Sequence, residues 1–283
     1  MLPRLGEEQP MNAEGRPKDR MTVVVGIPTL NGPKRLDRCL CSVLAHSPGA
    51  RVIVCDDGSF PDELEANKAV VAAHGVPMLM NQARLGVAES WNRLTRHAAA
   101  HFGAEVMALV NDDVEVVADW LDALLFSVSE NPHAGMVGLS SWVGARSDIF
   151  SPPRTPDYYE ATMRHGDGML SSCGYCFAFS VEKFEKVGGF DSGYFCFYEE
   201  IDLGVSFLAH GWPSYMLDRP LVLHQGGATT SDQRNLDAPA RLAQSRARFR
   251  SKWTSIAHQR ELYSGRQWSP ARSWNTMLRN WVD

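Results

Sequence analysis

The 283-residue sequence predicts an α/β domain: a mostly parallel β-sheet flanked by helices, followed by a C-terminal helical extension. Three observations predict it. From Thr22 onward, short β-branched apolar runs alternate with amphipathic stretches at the spacing of strand–helix units. The runs are uninterrupted, as strands covered by helices on both faces must be. Polar clusters at residues 28–31, 56–59 and 111–115 each follow directly on such a run, and parallel sheets bind ligands beyond the carboxyl ends of their strands.

Val23, Val24, Val25, Gly26 and Ile27 form the first buried strand, which Pro28 ends. Leu36, Leu40, Val43 and Leu44 then recur at helical spacing. Residues 51–55 make the second strand, and Asp56, Asp57, Gly58 and Ser59 its turn. A helix over 62–74, a short strand over 77–80 and a helix over 86–102 follow. The run 106–110 is another buried strand, ending at Asn111, Asp112 and Asp113. A helix over 118–129 and a strand over 135–139 complete the series. Residues 140–170 carry Pro152, Pro153 and Pro156 and read as a long loop of the kind that forms lids. Residues 175–180 are a strand, and 181–187 a short helix closed by Gly188 and Gly189. Residues 198–210 form a helix opened by acids that suit its N-terminal dipole. A last strand over 221–223 ends at His224. The expected organisation is a disordered polar leader over 1–20, one domain over 21–240 and a basic, aromatic-rich extension over 241–283.

Composition narrows the function classes. No run reaches the roughly 18–20 apolar residues of a membrane helix, and the polar start lacks the apolar core of a secretory signal. Cys39, Cys41, Cys55, Cys173, Cys176 and Cys196 are scattered through apolar segments, which suits free thiols in a reducing compartment. A cytoplasmic protein is expected. Cys173 and Cys176 have CxxC spacing without a second pair for zinc, so they read as packing. There is neither a GxGxxG opening a helix nor a Walker A motif. The net charge is −5, yet residues 241–283 carry nine Lys/Arg against two acids, leaving −12 for the remainder. Phe249, Trp253, Tyr263, Trp268, Trp274 and Trp281 lie in that tail. Such a segment suits nucleic acid, a peripheral membrane contact or an anionic acceptor. A helix packing its Trp on the core with Arg outward is the plainer reading.

Three constellations carry chemistry. Asn111, Asp112, Asp113 and Glu115 follow a buried strand, where carboxylates hold a hard divalent cation that bridges to diphosphate oxygens; a helix N-cap before Val116 has the same composition. Glu199, Glu200 and Asp202 crowd three carboxylates into four positions, which raises at least one pKa and suits a general base. The neighbouring Phe195, Phe197, Tyr198 and Leu203 imply partial burial rather than a solvated helix start. His224 ends an apolar strand beside Gly226 and Gly227, where backbone approaches a phosphate and an imidazole binds a metal; a lone structural His reads the same way.

Taken in order, these residues resemble the family 2 glycosyltransferases, which have the GT-A fold, a Rossmann-like sheet with flanking helices. The resemblance runs from Thr22 to about Trp253. It comprises Ile27-Pro28-Thr29-Leu30-Asn31, the Asp56-Asp57-Gly58-Ser59 turn, Asn81 through Gly86 to Asn92, and Asn111-Asp112-Asp113 at the place of the metal-binding DxD. Gly188-Gly189-Phe190-Asp191, then Glu199-Glu200-Ile201-Asp202-Leu203 and Gly211, resemble the acceptor-side signature. The subgroup it is most similar to is that of the rhamnosyltransferase-like enzymes.

The resemblance implies an inverting transfer of a sugar from a nucleotide-diphosphate sugar (UDP-, dTDP- or GDP-linked) to an acceptor hydroxyl, with Mn2+ or Mg2+ as cofactor. Asp57 would bond the donor's base, with Pro28 and Asn31 lining that pocket and Thr29, Asp56, Arg84, Asn111 and Asp112 also on the donor side. Asp113 would hold the cation, assisted by His224. Glu200 would be the base, with Glu199 and Asp202 as competitors. Two positions depart from the family pattern: Asn111 stands first in the DxD, and Glu200 stands where Asp is common. The implied acceptor is a glycan or lipid-linked saccharide. A transferase acting on nucleic acid bases is the alternative through the basic tail, although an acidic chain disfavours it. A non-catalytic sugar-nucleotide-binding relative would not need Asp113, Glu200 and His224 together. A nucleotidyltransferase would carry a Gly-rich basic loop where residues 28–31 stand.

Overall fold

A computed structural model describes residues 21–143, 174–226 and 237–258. The leader over 1–20, the loop beyond Val143, Cys173, Gly227 and the tail from 259, with Tyr263, Trp268, Trp274 and Trp281, lie outside the described residues.

The first half winds as the pattern requires. Strand β1 (Val23–Thr29), helix α1 (Pro33–His46), β2 (Arg51–Asp56), α2 (Pro61–Ala73), β3 (Met78–Met80), α3 (Val87–Phe102) and β4 (Val106–Val110) alternate. β1 lies between β2 and β4, parallel to both, and β3 extends β2 in parallel. Proline at the first position of α1 and of α2 starts each helix where its missing N–H costs nothing. Alternate side chains of β1 enter opposite layers. Val25 and Ile27 join Leu36, Leu40 and Val43 of α1, whereas Val24 joins Trp91 and Leu94 of α3. On the outer surface His74 ties α2 to α1: its Nε2 meets Asp37 Oδ1 at 2.8 Å and Cys41 Sγ at 3.9 Å. Both contacts fall on one ring nitrogen, so the trio is a helix–helix tie and not a proton relay.

The second half comprises β5 (Val114–Val116), α4 (Trp120–Glu130), β6 (Met136–Val143), β7 (Cys176–Ser180), α5 (Val181–Val187), α6 (Glu199–Ala209), β8 (Tyr215–His224) and α7 (Ala238–His258). The sheet is mixed and mostly parallel, in the order β3-β2-β1-β4-β7-β6-β8-β5. β7 runs antiparallel to β4 and β6, β8 parallel to β6, and β5 antiparallel to β8. Three boundaries differ from the sequence reading. Residues 114–116 are a strand, not the approach to a helix. β6 continues to Val143, into the segment expected to be loop. β8 begins at Tyr215, six residues early, because its middle is irregular: Leu139 faces Leu217, but Ser141 already faces Val222. Pro220 sits in that bulge, where its missing N–H is tolerated.

Helix α7 starts three residues before the expected extension and packs Phe249 and Trp253 against Tyr194, Val205 and Leu208. The described cysteines Cys39, Cys41, Cys55 and Cys196 are free thiols. Among the described residues no helix is long and apolar enough to cross a membrane.

Candidate active site

The ends of β1, β2 and β4 meet through hydrogen bonds between their own polar residues. Thr29 Oγ1 donates to Asp112 Oδ2 at 2.7 Å, tying β1 to the residue after β4. Asn31, at φ 51°, donates its N–H to Ser59 Oγ and accepts from Phe60 N, each at 2.8 Å. Asp56 accepts from Ser59 N, Ser59 Oγ and Asn67 Nδ2 at 2.8, 2.7 and 2.9 Å, so it closes the turn and pins α2. Asp57 accepts from Asn81 Nδ2, Leu85 N and Gly86 N at 2.8, 3.0 and 2.9 Å. Burial raises its carboxyl, against the pull of these donors. Asp57 thereby shapes the 81–86 loop. Gly86, at φ 92°, ends that loop, and a Cβ there would strike the backbone of Phe195.

A cavity of about 390 Å³ opens where these strand ends face the start of α6. Pro28, Thr29 and Asp57, then Asn111, Asp112, Asp113 and His224, and Glu199 and Glu200 from the start of α6 all line it. Asn31, Asp56, Arg84 and Asp202 do not line it. The first two are consumed by the turn just described. Arg84 is half-buried in the 81–86 loop, whose backbone abuts Gly58.

The placing of Asp113 and His224 depends on strand β5. Its antiparallel ladder sets Val114 opposite His224, and Gln225 N donates to Asp113 O at 3.0 Å. Asp113 Oδ1 and His224 Nε2 consequently lie 3.4 Å apart. Two neighbouring ligand atoms on one octahedral cation, each bonded at about 2.1 Å, are separated by about 3 Å. Tyr175 stacks on the His224 ring with centroids 4.3 Å apart, and its hydroxyl donates to Leu139 O at 2.9 Å, so the imidazole is held in plane. Asn111 donates to Gly174 O at 3.3 Å, while its buried Oδ1 has no hydrogen-bond partner. A carboxylate, an imidazole and an unsatisfied amide oxygen suit Mn2+ or Mg2+. Asp112 turns elsewhere, to Thr29 and to Arg35 at 3.5 Å, and burial pushes its carboxyl up to about 6.

Phe197 (φ 66°) and Tyr198 (φ 70°) are consecutive left-handed residues directly before α6. Aromatic residues hold such angles at a cost of order 1–3 kcal/mol each. The twist turns Glu199 and Glu200 into the cavity. Burial, then the Glu200 charge, holds Glu199 well above the usual carboxylate range, and its Oε2 is unpartnered. Burial also raises Glu200, whereas backbone N–H groups of the first helical turn favour its ionised form. A Cβ at Gly174 would lie 3.0 Å from the Glu200 carboxyl, so a larger residue there would press on the Glu200 side chain. Asp202, 1% exposed, faces away: it accepts from Lys252 Nζ, Trp253 Nε1 and Tyr194 Oη at 2.6, 2.7 and 3.1 Å.

Several lining residues escaped the sequence reading: Ser90, Trp91, Tyr175 and Cys196. Tyr175 gave no signal, because its stacking partner is 49 positions away in sequence. The aromatic run before Glu199 marked burial, but nothing in it marked a left-handed pair.

Residues 24–188 match the model of glycosyl transferase family 2. The chain is 28% identical over 240 residues to the N-acetylglucosaminyl-diphospho-decaprenol L-rhamnosyltransferase of Mycobacterium tuberculosis, covering 73% of this chain and 76% of that one. Its fold is similar to GalNAc-T7 with UDP, GalNAc and Mn2+ (TM-score 0.58, 17% identity, 78% of this chain and 45% of that one). This chain thus spans less than half of that protein. The mannosyltransferase PcManGT from Pyrobaculum calidifontis, in complex with GDP-Man and Mn2+, is similar over nearly its whole length (TM-score 0.56, 17% identity, 97% of this chain and 89% of that one). At such identities the two structures speak to the fold.

Proposed function

The chain belongs to glycosyl transferase family 2, and from that premise we propose that it transfers a sugar, with inversion and with help from a divalent cation, to a hydroxyl of a lipid-linked saccharide. The observation that carries the reading is the shared cavity: Asp113, His224 and Glu200 all line it. Asp57, Pro28 and Thr29 line the wall for the donor's nucleoside. Asp113, His224 and the open Asn111 Oδ1 would hold Mn2+ or Mg2+ against the diphosphate. When bound, that cation offsets the negative charge of the departing diphosphate. Glu200 takes the proton of the acceptor hydroxyl as its oxygen attacks the anomeric carbon, and the carbon–oxygen bond to the diphosphate breaks on the opposite face. A raised pKa makes Glu200 a stronger base than an exposed glutamate. Glu199, held still higher, is the better candidate for a neutral hydrogen-bond donor beside it. The lipid-linked acceptor is the class named for the mycobacterial relative.

The test is thermal unfolding with UDP, dTDP and GDP and their sugars, with and without Mn2+, in the wild type and in Asp113→Ala. Ligand at about 100 times its Kd adds roughly 2.7 kcal/mol. The expected result is a Mn2+-dependent rise for one nucleotide that Asp113→Ala abolishes. No rise with any nucleotide sinks the reading. Transfer to a polyprenyl-diphosphate saccharide in preference to the free saccharide then checks the acceptor.

A further inference from the structure

Helix α7 sends one face onto the segment that precedes the two cavity glutamates. Arg241, Ser245, Arg248, Phe249, Lys252 and Trp253 recur at helical spacing along that face. Arg241 lies over the ring of Phe195, 4.3 Å from its centroid. Ser245 Oγ donates to Cys196 O at 2.7 Å. Arg248 grips Asp191 with Nη2 at 2.6 and 2.9 Å from the two carboxylate oxygens, and its guanidinium crosses Gly193, where any Cβ would collide with it. Phe249 packs on Tyr198 at 5.3 Å. Burial alone would raise the Asp191 carboxyl, but Arg248 and Lys252 pull it below its ordinary range, so the grip is an ionised one. From the other side Val87 N donates to Phe195 O at 3.0 Å, at the loop end that Asp57 organises.

Within this clamp lie Phe197 and Tyr198, the two left-handed residues. A backbone so strained relaxes unless its surroundings over-determine it. Relaxing it would swing the first turn of α6 and move the Glu200 carboxyl relative to the donor side.

We propose that α7 is a positioning latch for catalysis: Arg248 and Ser245, which line no part of the cavity, hold residues 191–198 in the strained path that aims Glu200 across it. This rests on the reading of Glu200 as the base. It also makes a helix that follows the family-matched residues 24–188 part of the working site.

The experiment compares steady-state transfer by the full-length wild type, Arg248→Met, Arg248→Lys, Ser245→Ala, Asp191→Asn and the double variant Asp191→Asn with Arg248→Met. Misplacement by about 1 Å costs up to about 100-fold, so Arg248→Met should lower kcat about 10- to 100-fold. Nucleotide–Mn2+ affinity should stay within about twofold, since the donor wall is untouched. Arg248→Lys should recover part of kcat, and the double variant should be no slower than Arg248→Met alone, the mark of two residues acting through one contact. Ser245→Ala removes a single oxygen and reports if Arg248→Met does not fold. A kcat within twofold of wild type in both Arg248→Met and Ser245→Ala overturns the latch, as does a parallel loss of kcat and nucleotide affinity. Glu200→Gln, measured alongside, separates the failures. Wild-type kcat there removes the base assignment. A slow Glu200→Gln with unimpaired Arg248→Met and Ser245→Ala removes the latch alone.

Discussion

The donor wall and the base side of the cavity are built on opposite principles. On the donor side the Asp57 carboxylate in the wall is satisfied by the 81–86 loop, and behind it Asp56 is satisfied by its own turn and Asn31 by Ser59 and Phe60. On the base side Glu199 Oε2 has no partner, two aromatic residues hold left-handed angles, and the restraint comes from a helix some 50 residues further along. The difference separates two tasks. A wall that, on the proposed reading, only has to receive a nucleoside is made rigid by bonds whose desolvation is offset on the spot. A base must keep an elevated pKa, so it sits where its charge is poorly compensated, and distant contacts supply the rigidity.

If that division holds, the largest loss of rate belongs to the base side. Removal of a general base costs about 10²- to 10⁴-fold in rate, so Glu200→Gln should lose kcat on that scale while nucleotide binding, followed by thermal shift, persists. Glu199→Gln should stay within about tenfold of wild type, because burial raises the Glu199 carboxyl and a neutral isostere keeps its shape and its hydrogen-bonding capacity. The reverse ranking would move the base to Glu199. On the donor wall the expected effect is on stability instead. Asn81→Ala strips Asp57 Oδ1 of one of its two donors in a buried setting. Such a loss costs about 1–3 kcal/mol, to be read as a lower denaturation midpoint with kcat per folded molecule little changed. A variant folded as well as wild type but catalytically dead would erase the distinction between the two regions.

Legibility in the sequence follows the same line. The parallel half was readable because each strand is a short apolar run and the turn signals lie in the sequence beside it. Asp56 and Ser59 lie three apart, and proline opens both α1 and α2. The pairing of Asp113 with His224 was not readable from spacing. It needs β5, a three-residue strand whose Val-Glu-Val reads equally as the start of a helix, to pair with β8 more than 100 positions away. Asp202 looked like a third candidate base because position in sequence does not say which way a helical side chain points. Glu199 and Glu200 line the cavity, whereas Asp202 is held by Lys252 and Trp253 of α7. The aromatic tail read as an acceptor surface or a packed helix. Over the described residues it packs, with Arg248 pairing to Asp191 while staying exposed.

Asp112 is a carboxylate on the donor side that breaks the rule, and it yields the smallest effect and the sharpest test. It is buried like Asp57, yet it receives only one short hydrogen bond, from Thr29, with Arg35 at 3.5 Å. Burial outweighs both and pushes its carboxyl from the model-peptide value of 3.8 up to about 6. The folded protein therefore binds this proton more tightly than the unfolded chain does. Between those two pKa values the folded state carries more protons, so stability falls as pH rises and recovers as pH drops. For the metal-free protein the Asp112 contribution should change by about 1 kcal/mol in favour of folding from pH 7 to pH 5. Asp112→Asn should flatten that part of the profile, as followed by denaturant midpoints at fixed ionic strength. If instead the wild type gains stability from pH 5 to pH 7 and Asp112→Asn abolishes the gain, Arg35 compensates the carboxylate fully. The donor wall would then have no exception, and uncompensated charge in this cavity would belong to the base side alone.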